Sequence, residues 1–160
     1  MIDDIAVAII AGAPALLYVS SARSGKKSSS NRASWGLAIC FIYFSLGHFI
    51  FKEKLVEMLP LFVPFRPLVI LLTGILELLI AAALFIPSFQ RFGAVIAIIV
   101  LIMFLPANIY ACVNHVGIGE HKIGPIYLVV RIPLQIWLIM VALAIVRLRS
   151  PKPPSVAATS

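Results

Sequence analysis

Charge is scarce in this 160-residue chain. Only 12% of its residues are Asp, Glu, Lys or Arg, and six of those are acidic. Hydrophobic residues make up 62% and the mean hydropathy is +1.09. A soluble domain of this size has too much surface to hide so much apolar side chain, so a water-soluble globule is excluded. Cysteine is nearly absent as well. Cys40 and Cys112 each sit inside an apolar run at different expected depths, which argues for two buried inert thiols rather than a disulfide. No redox dithiol, phosphate-cradling glycine loop, nucleophile constellation or haem-ligand pair occurs, so any redox role has to come from a bound cofactor or a partner. The net charge of +7 carries no aromatic-interleaved basic stripe, which excludes nucleic acid as a partner. No internal repeat of useful period is visible.

What is present is a series of long apolar runs. Five stand out: Ile5–Val19, Ser34–Phe51, Leu68–Ile86, Gly93–Val113 and Ile126–Val146. The last four are long enough to cross a hydrocarbon core of about 30 Å as helices rising 1.5 Å per residue. The expected fold is therefore all-α: a polytopic transmembrane helical bundle, with a four-helix core plus one extra N-terminal helix. Residues 1–22 are read as that extra helix. A cleaved signal peptide fits less well, because Asp3 and Asp4 precede the run and Arg23, Lys26 and Lys27 follow it, the reverse of a signal's charge order.

Basic residues flank the runs unequally. With the N-terminus outside, Arg23, Lys26, Lys27, Arg32, Arg91, Arg147, Arg149 and Lys152 lie inside, and Lys52, Lys54, Arg66 and Lys122 outside. That excess supports the topology, and with it a lipid bilayer as the chain's solvent, a bacterial cytoplasmic (inner) membrane being the expected one. Residues 23–34 read as a basic cytoplasmic linker, 35–146 as the four-helix membrane domain and 147–160 as a disordered cytoplasmic tail. Between Lys52 and Pro67, three prolines (Pro60, Pro64 and Pro67) forbid a continuous helix. That stretch is expected to lie on the outer membrane surface, with Leu61, Phe62, Val63 and Phe65 dipping into the interface.

Polar groups within the runs carry what chemistry there is. His48, Glu77, Asn108, Arg131 and Gln135 come from four different runs and all fall in the outer half. A charge facing lipid costs roughly 2.5–3.5 kcal/mol at the helix centre, so Glu77 and Arg131 should face each other or a polar cavity; an ion pair between them is the expected arrangement. Tyr127, Arg131 and Gln135 recur at four-residue spacing, as do Thr73 and Glu77, and Asn108 and Cys112, so each set forms one helix stripe. Pro106 and Pro133 leave carbonyls free near Ile102 and Val129, tolerated only where protein or water meets them. These groups read as a ligand-binding pocket, or alternatively as interhelical glue. His115, Glu120 and His121 could join His48 around a metal, but such spacing is weak, and no metal is expected.

The same residues carry a resemblance. Gly47-His48-Phe49, Pro60 and Pro64, Gly74-x-x-Glu77, and Leu-x-x-Pro ending at Pro87 are similar to the pattern of DoxX-like integral membrane proteins. So are Phe104-x-Pro106-Ala107-Asn108-Ile109-Tyr110 and Arg131-x-Pro133-Leu134-Gln135. The resemblance runs from about Trp35 to Val146 and implies a four-helix membrane core. The family takes its name from a subunit of a thiosulfate:quinone oxidoreductase, and its members are associated with membrane redox complexes or with the assembly of other membrane proteins. It implies a quinone or other small apolar molecule as ligand, and other membrane protein subunits or a homo-oligomer as partners. It brings no agreed catalytic residues.

Overall fold

The computed structural model describes residues 26–116 and 125–149. Its helices are α1 (Lys26–Ile50), α2 (Lys52–Glu57), α3 (Arg66–Phe85), α4 (Gln90–Val113) and α5 (Leu128–Leu148), with a 3-10 turn at Pro125–Tyr127 before α5. No strand occurs among the described residues. Four stretches are long and apolar enough to cross a membrane: Asn31–Ile50, Arg66–Phe85, Gln90–Val113 and Arg131–Leu148. The segment Ile5–Val19 lies outside the described residues.

Local chemistry sets the turns. Phe65 adopts a left-handed conformation (φ 50°) that ends the proline-rich connection, and Pro67, in the first turn of α3, has no N–H to leave unsatisfied there. At the far end, Ile86 is extended (ψ 115°), as expected of a residue followed by proline. A tight turn closed by a hydrogen bond from Phe89 N–H to Ile86 O (2.9 Å) then starts α4.

The four long helices form a square. α1 packs against α3 and α5, and α4 packs against the same two, so α1/α4 and α3/α5 are the diagonals. Every neighbouring pair is antiparallel, giving an up-down-up-down bundle. One end, called here the proline-loop end, carries the close of α1, all of α2 and the starts of α3 and α5. The exterior is apolar: Leu72, Leu79, Ile102, Met103, Ile136 and Met140 are all exposed, a surface that water does not tolerate at this extent and lipid does. Inside, Ala33, Ala38, Ala81, Ala94, Ala97 and Ala142 are buried with Leu37, Phe41, Leu84 and Leu138, small residues letting helices approach closely. The protein is thus an all-α, multi-pass membrane bundle.

Two sequence boundaries are corrected. The expected linker over 23–34 is helical from Lys26 onward, and Ala33 and Ser34 are fully buried. Its Ser and Lys residues contain no proline to stop the helix, so α1 continues past the apolar run. Residues 147–149 also differ from the expected tail: α5 runs to Leu148, and Arg149 is held by side-chain bonds. Residues 150–160 lie outside the described residues. In the proline-rich connection no long helix forms, and Leu61, Phe62 and Phe65 are about 80% exposed or more, whereas Val63 is half-buried.

Candidate functional site

Glu77 sits near the middle of α3 and is 1% exposed. The ion pair expected with Arg131 does not form; within 4 Å, the basic partner is His48, whose Nδ1 lies 2.9 Å from Glu77 Oε2. Helix geometry explains why. Side chains tilt toward the N-terminus of their own helix, and α1 and α3 run in opposite directions. His48 therefore leans away from the proline-loop end and Glu77 leans toward it, so the two meet although their backbones differ in level by about one turn. Gly74 makes the approach close: a Cβ there would stand 2.8 Å from His48 Cβ. Ser45 Oγ donates to the Gly74 carbonyl at 2.8 Å, tying the same two helices.

His48 Nδ1 is also 3.0 Å from the Phe44 carbonyl. A carbonyl oxygen can only accept, so Nδ1 carries a hydrogen. That hydrogen is directed to Phe44, and Glu77 Oε2 is left beside the ring without an aligned donor. Across the bundle diagonal, the His48 ring stacks obliquely on Phe104 of α4, with centroids 6.0 Å apart.

On the opposite seam, Gln135 Nε2 of α5 donates to the Leu101 carbonyl of α4. Because the carbonyl accepts, the amide orientation follows, and Gln135 Oε1 is left buried without a donor. Leu101 is three residues before Phe104, and Glu77 three residues beyond Gly74. At 1.5 Å per residue, both lie about 4.5 Å farther from the proline-loop end than the His48–Phe104 stack. The Glu77 backbone and the Leu101 backbone thus share a level, while the Glu77 carboxyl reaches back from it to the His48 ring. Nearer the proline-loop end come Arg131, half-buried one turn before Gln135, and Asn108, 6% exposed one turn after Phe104. The five residues expected from sequence are therefore distributed along an inward-facing column two to three turns tall. The side chain of Tyr127 is not among those described.

Among the described residues no three His, Cys, Asp or Glu side chains gather as a metal site; Glu120 and His121 fall outside them. Cys40 and Cys112 are buried and are not joined in a disulfide.

A second polar knot escaped sequence reading. At the end remote from the proline loop, Arg149 Nη2 donates to Asn31 Oδ1 and to Gln90 Oε1, the latter at 2.5 Å. One guanidinium thus joins the start of α1, the start of α4 and the end of α5, with Gln90 fully buried. The only sequence signal was that all three residues flank run ends on one side of the membrane.

The residues of the column all fall within a family match. Residues 37–146 match the family described as Domain of unknown function (DUF8561). The chain belongs to that family. Its matched span begins inside α1 and ends inside α5, so it holds the whole column and Gln90, but leaves out Asn31 and Arg149. No curated protein and no solved structure matches the chain.

Proposed function

We propose that this membrane bundle binds a quinone or another small apolar molecule in the column between His48, Glu77, Asn108, Arg131 and Gln135, as part of a membrane redox assembly. The observation that carries the reading is the Glu77 carboxyl, buried at mid-helix beside His48 and within the field of Arg131. Ionisable groups are expensive at this depth and ordinarily mark ligand or proton pathways. On this reading Arg131 offers N–H donors to a ligand oxygen, His48 orients Glu77, and Phe104 supplies an aromatic face. The sequence resemblance to DoxX-like proteins supports the same reading, in which the chain lies in a bacterial inner membrane, and the excess of Lys and Arg in alternate loops favours an N-terminus outside. The test is mild purification from native membranes, with mass spectrometry of co-purifying small molecules and proteins. A stoichiometric quinone retained by the natural chain and lost from Glu77→Gln and Arg131→Met variants is expected. Full retention by folded variants would sink the pocket.

A second reading is a non-catalytic accessory subunit or assembly factor. It is favoured by the bonds of Ser45 to Gly74 and of Gln135 to Leu101, which tie helices together whatever else the column does. A stoichiometric partner protein with no small molecule would support it.

A further inference from the structure

The two amides that receive Arg149 are each followed in the chain by another arginine, Asn31 by Arg32 and Gln90 by Arg91. Consecutive Cα atoms are only about 3.8 Å apart. The knot therefore gathers Arg32 and Arg91, together with Arg147 two residues before Arg149, at the end remote from the proline loop. Asn31 and Gln90 are neutral, and the acidic residues of the described segments lie elsewhere: Glu53 and Glu57 in α2, Glu77 at mid-α3. The proline-loop end, by contrast, mixes both signs along α2. Positive charge is thus concentrated at the α1, α4 and α5 corners of one end, a convergence that three separate stretches of sequence reach only through the fold.

Arg91 and Arg147 are exposed, and each caps an exposed apolar stripe. In α4, Arg91 is followed at four-residue spacing by Val95 and Ile99; in α5, Met140 and Leu143 precede Arg147 on one face. The two helices pack side by side in opposite directions, and the bond from Arg149 to Gln90 (2.5 Å) holds the end of one against the start of the other. Both stripes therefore finish in an arginine at the same end. We propose that this end of the α4–α5 pair is a docking surface for an acidic phospholipid, its headgroup held by Arg91 and Arg147 and its acyl chains laid on the two apolar stripes. A guanidinium matches a phosphate with paired N–H donors, and its long stem lies on apolar surface while the charge reaches the headgroup level. Basic surfaces between membrane helices recognise anionic headgroups in this way. A zwitterionic headgroup fits less well, because its ammonium would enter a cluster of arginines with no described carboxylate to meet it. The surface is separate from the column around Glu77 and needs no opening in the bundle interior.

The test uses the full chain in detergent with an equimolar mixture of dioleoylphosphatidylglycerol and dioleoylphosphatidylcholine, which share acyl chains and differ in net charge. Native mass spectrometry reads the ratio of the two lipids retained on the protein. A cation at an anionic lipid surface is worth a factor of about five in affinity, so the natural chain should retain the glycerol lipid in clear excess. Arg91→Gln and Arg147→Gln should each lower that excess about fivefold and together abolish it, whereas Lys52→Gln with Lys54→Gln, at the other end, should leave it unchanged. Equal retention of the two lipids by the natural chain overturns the proposal, and this arm needs no variant to fold. An excess that survives loss of both arginines but falls with the two lysines also overturns it, by moving the site to the proline-loop end. So does an excess abolished by inorganic phosphate at the lipid concentration, which would make the surface a site for the free anion.

Discussion

His48 and Glu77 meet across the α1–α3 seam with Nδ1 and Oε2 2.9 Å apart, and no carbon can be added to Gly74 without striking His48. The pairing depends on that missing Cβ. Helix proximity and the acid–base contact are therefore one structural fact, and it leads to the first two expectations.

Replacing Gly74 by alanine places a Cβ 2.8 Å from His48 Cβ, and the neighbour is the rigid root of a side chain. Overpacking of this kind costs about 1–3 kcal/mol. Gly47→Ala is the control, because nothing lies within 4 Å of its added Cβ. Thermal unfolding in detergent should show a lowered midpoint for Gly74→Ala and none for Gly47→Ala.

His48→Leu strips Glu77 of the basic group beside it while leaving the carboxyl buried. Removing a base 2.9 Å from a buried acid costs on the order of 1–3 kcal/mol, so the variant should unfold earlier. Adding Glu77→Leu removes the stranded acid and should recover part of the loss. A double variant less stable than the sum of the singles would contradict the pairing in a double-mutant cycle.

Arg149→Ala should loosen the end remote from the proline loop. Three helices share that guanidinium, and its loss leaves the fully buried Gln90 Oε1 without its donor. A destabilisation of about 1–3 kcal/mol is expected. Arg147→Ala, at an exposed position in the same turn, should change the unfolding midpoint by little.

Both cysteines are fully buried. Membrane-impermeant maleimide should modify neither in the folded protein and both after denaturation, read by mass shift. On a background lacking them, Lys54→Cys should label from outside the cell if the charge-derived orientation holds, and only after permeabilisation if it is reversed.

The depth of the polar residues was legible because hydrophobic runs state where the bilayer lies. Counting residues from a run's end therefore placed His48, Asn108, Arg131 and Gln135 in the same half of the membrane. Their partners were not legible. Residue counting gives the level of a Cα, whereas a long side chain ends several ångströms away, in a direction set by its helix. For Glu77 that direction is toward the proline-loop end and for His48 away from it, which turned an expected Glu77–Arg131 pair into a Glu77–His48 contact. The boundaries at Lys26 and Arg149 were missed for a related reason. A helix with no proline or glycine to stop it runs on beyond the apolar stretch whenever another helix end offers its polar residues a partner.

By itself, then, the amino-acid order determined the all-α membrane class, the four core spans, and which polar residues had to turn away from lipid. Those follow from the cost of exposing backbone and charge to hydrocarbon, which every residue meets independently of its neighbours. The tertiary structure decided who meets whom: the square order of helices, His48 against Glu77 beside Gly74, Gln135 on Leu101, and Arg149 across Asn31 and Gln90. Such pairings depend on close packing between helices distant in sequence, and helical periodicity carries no record of the partner.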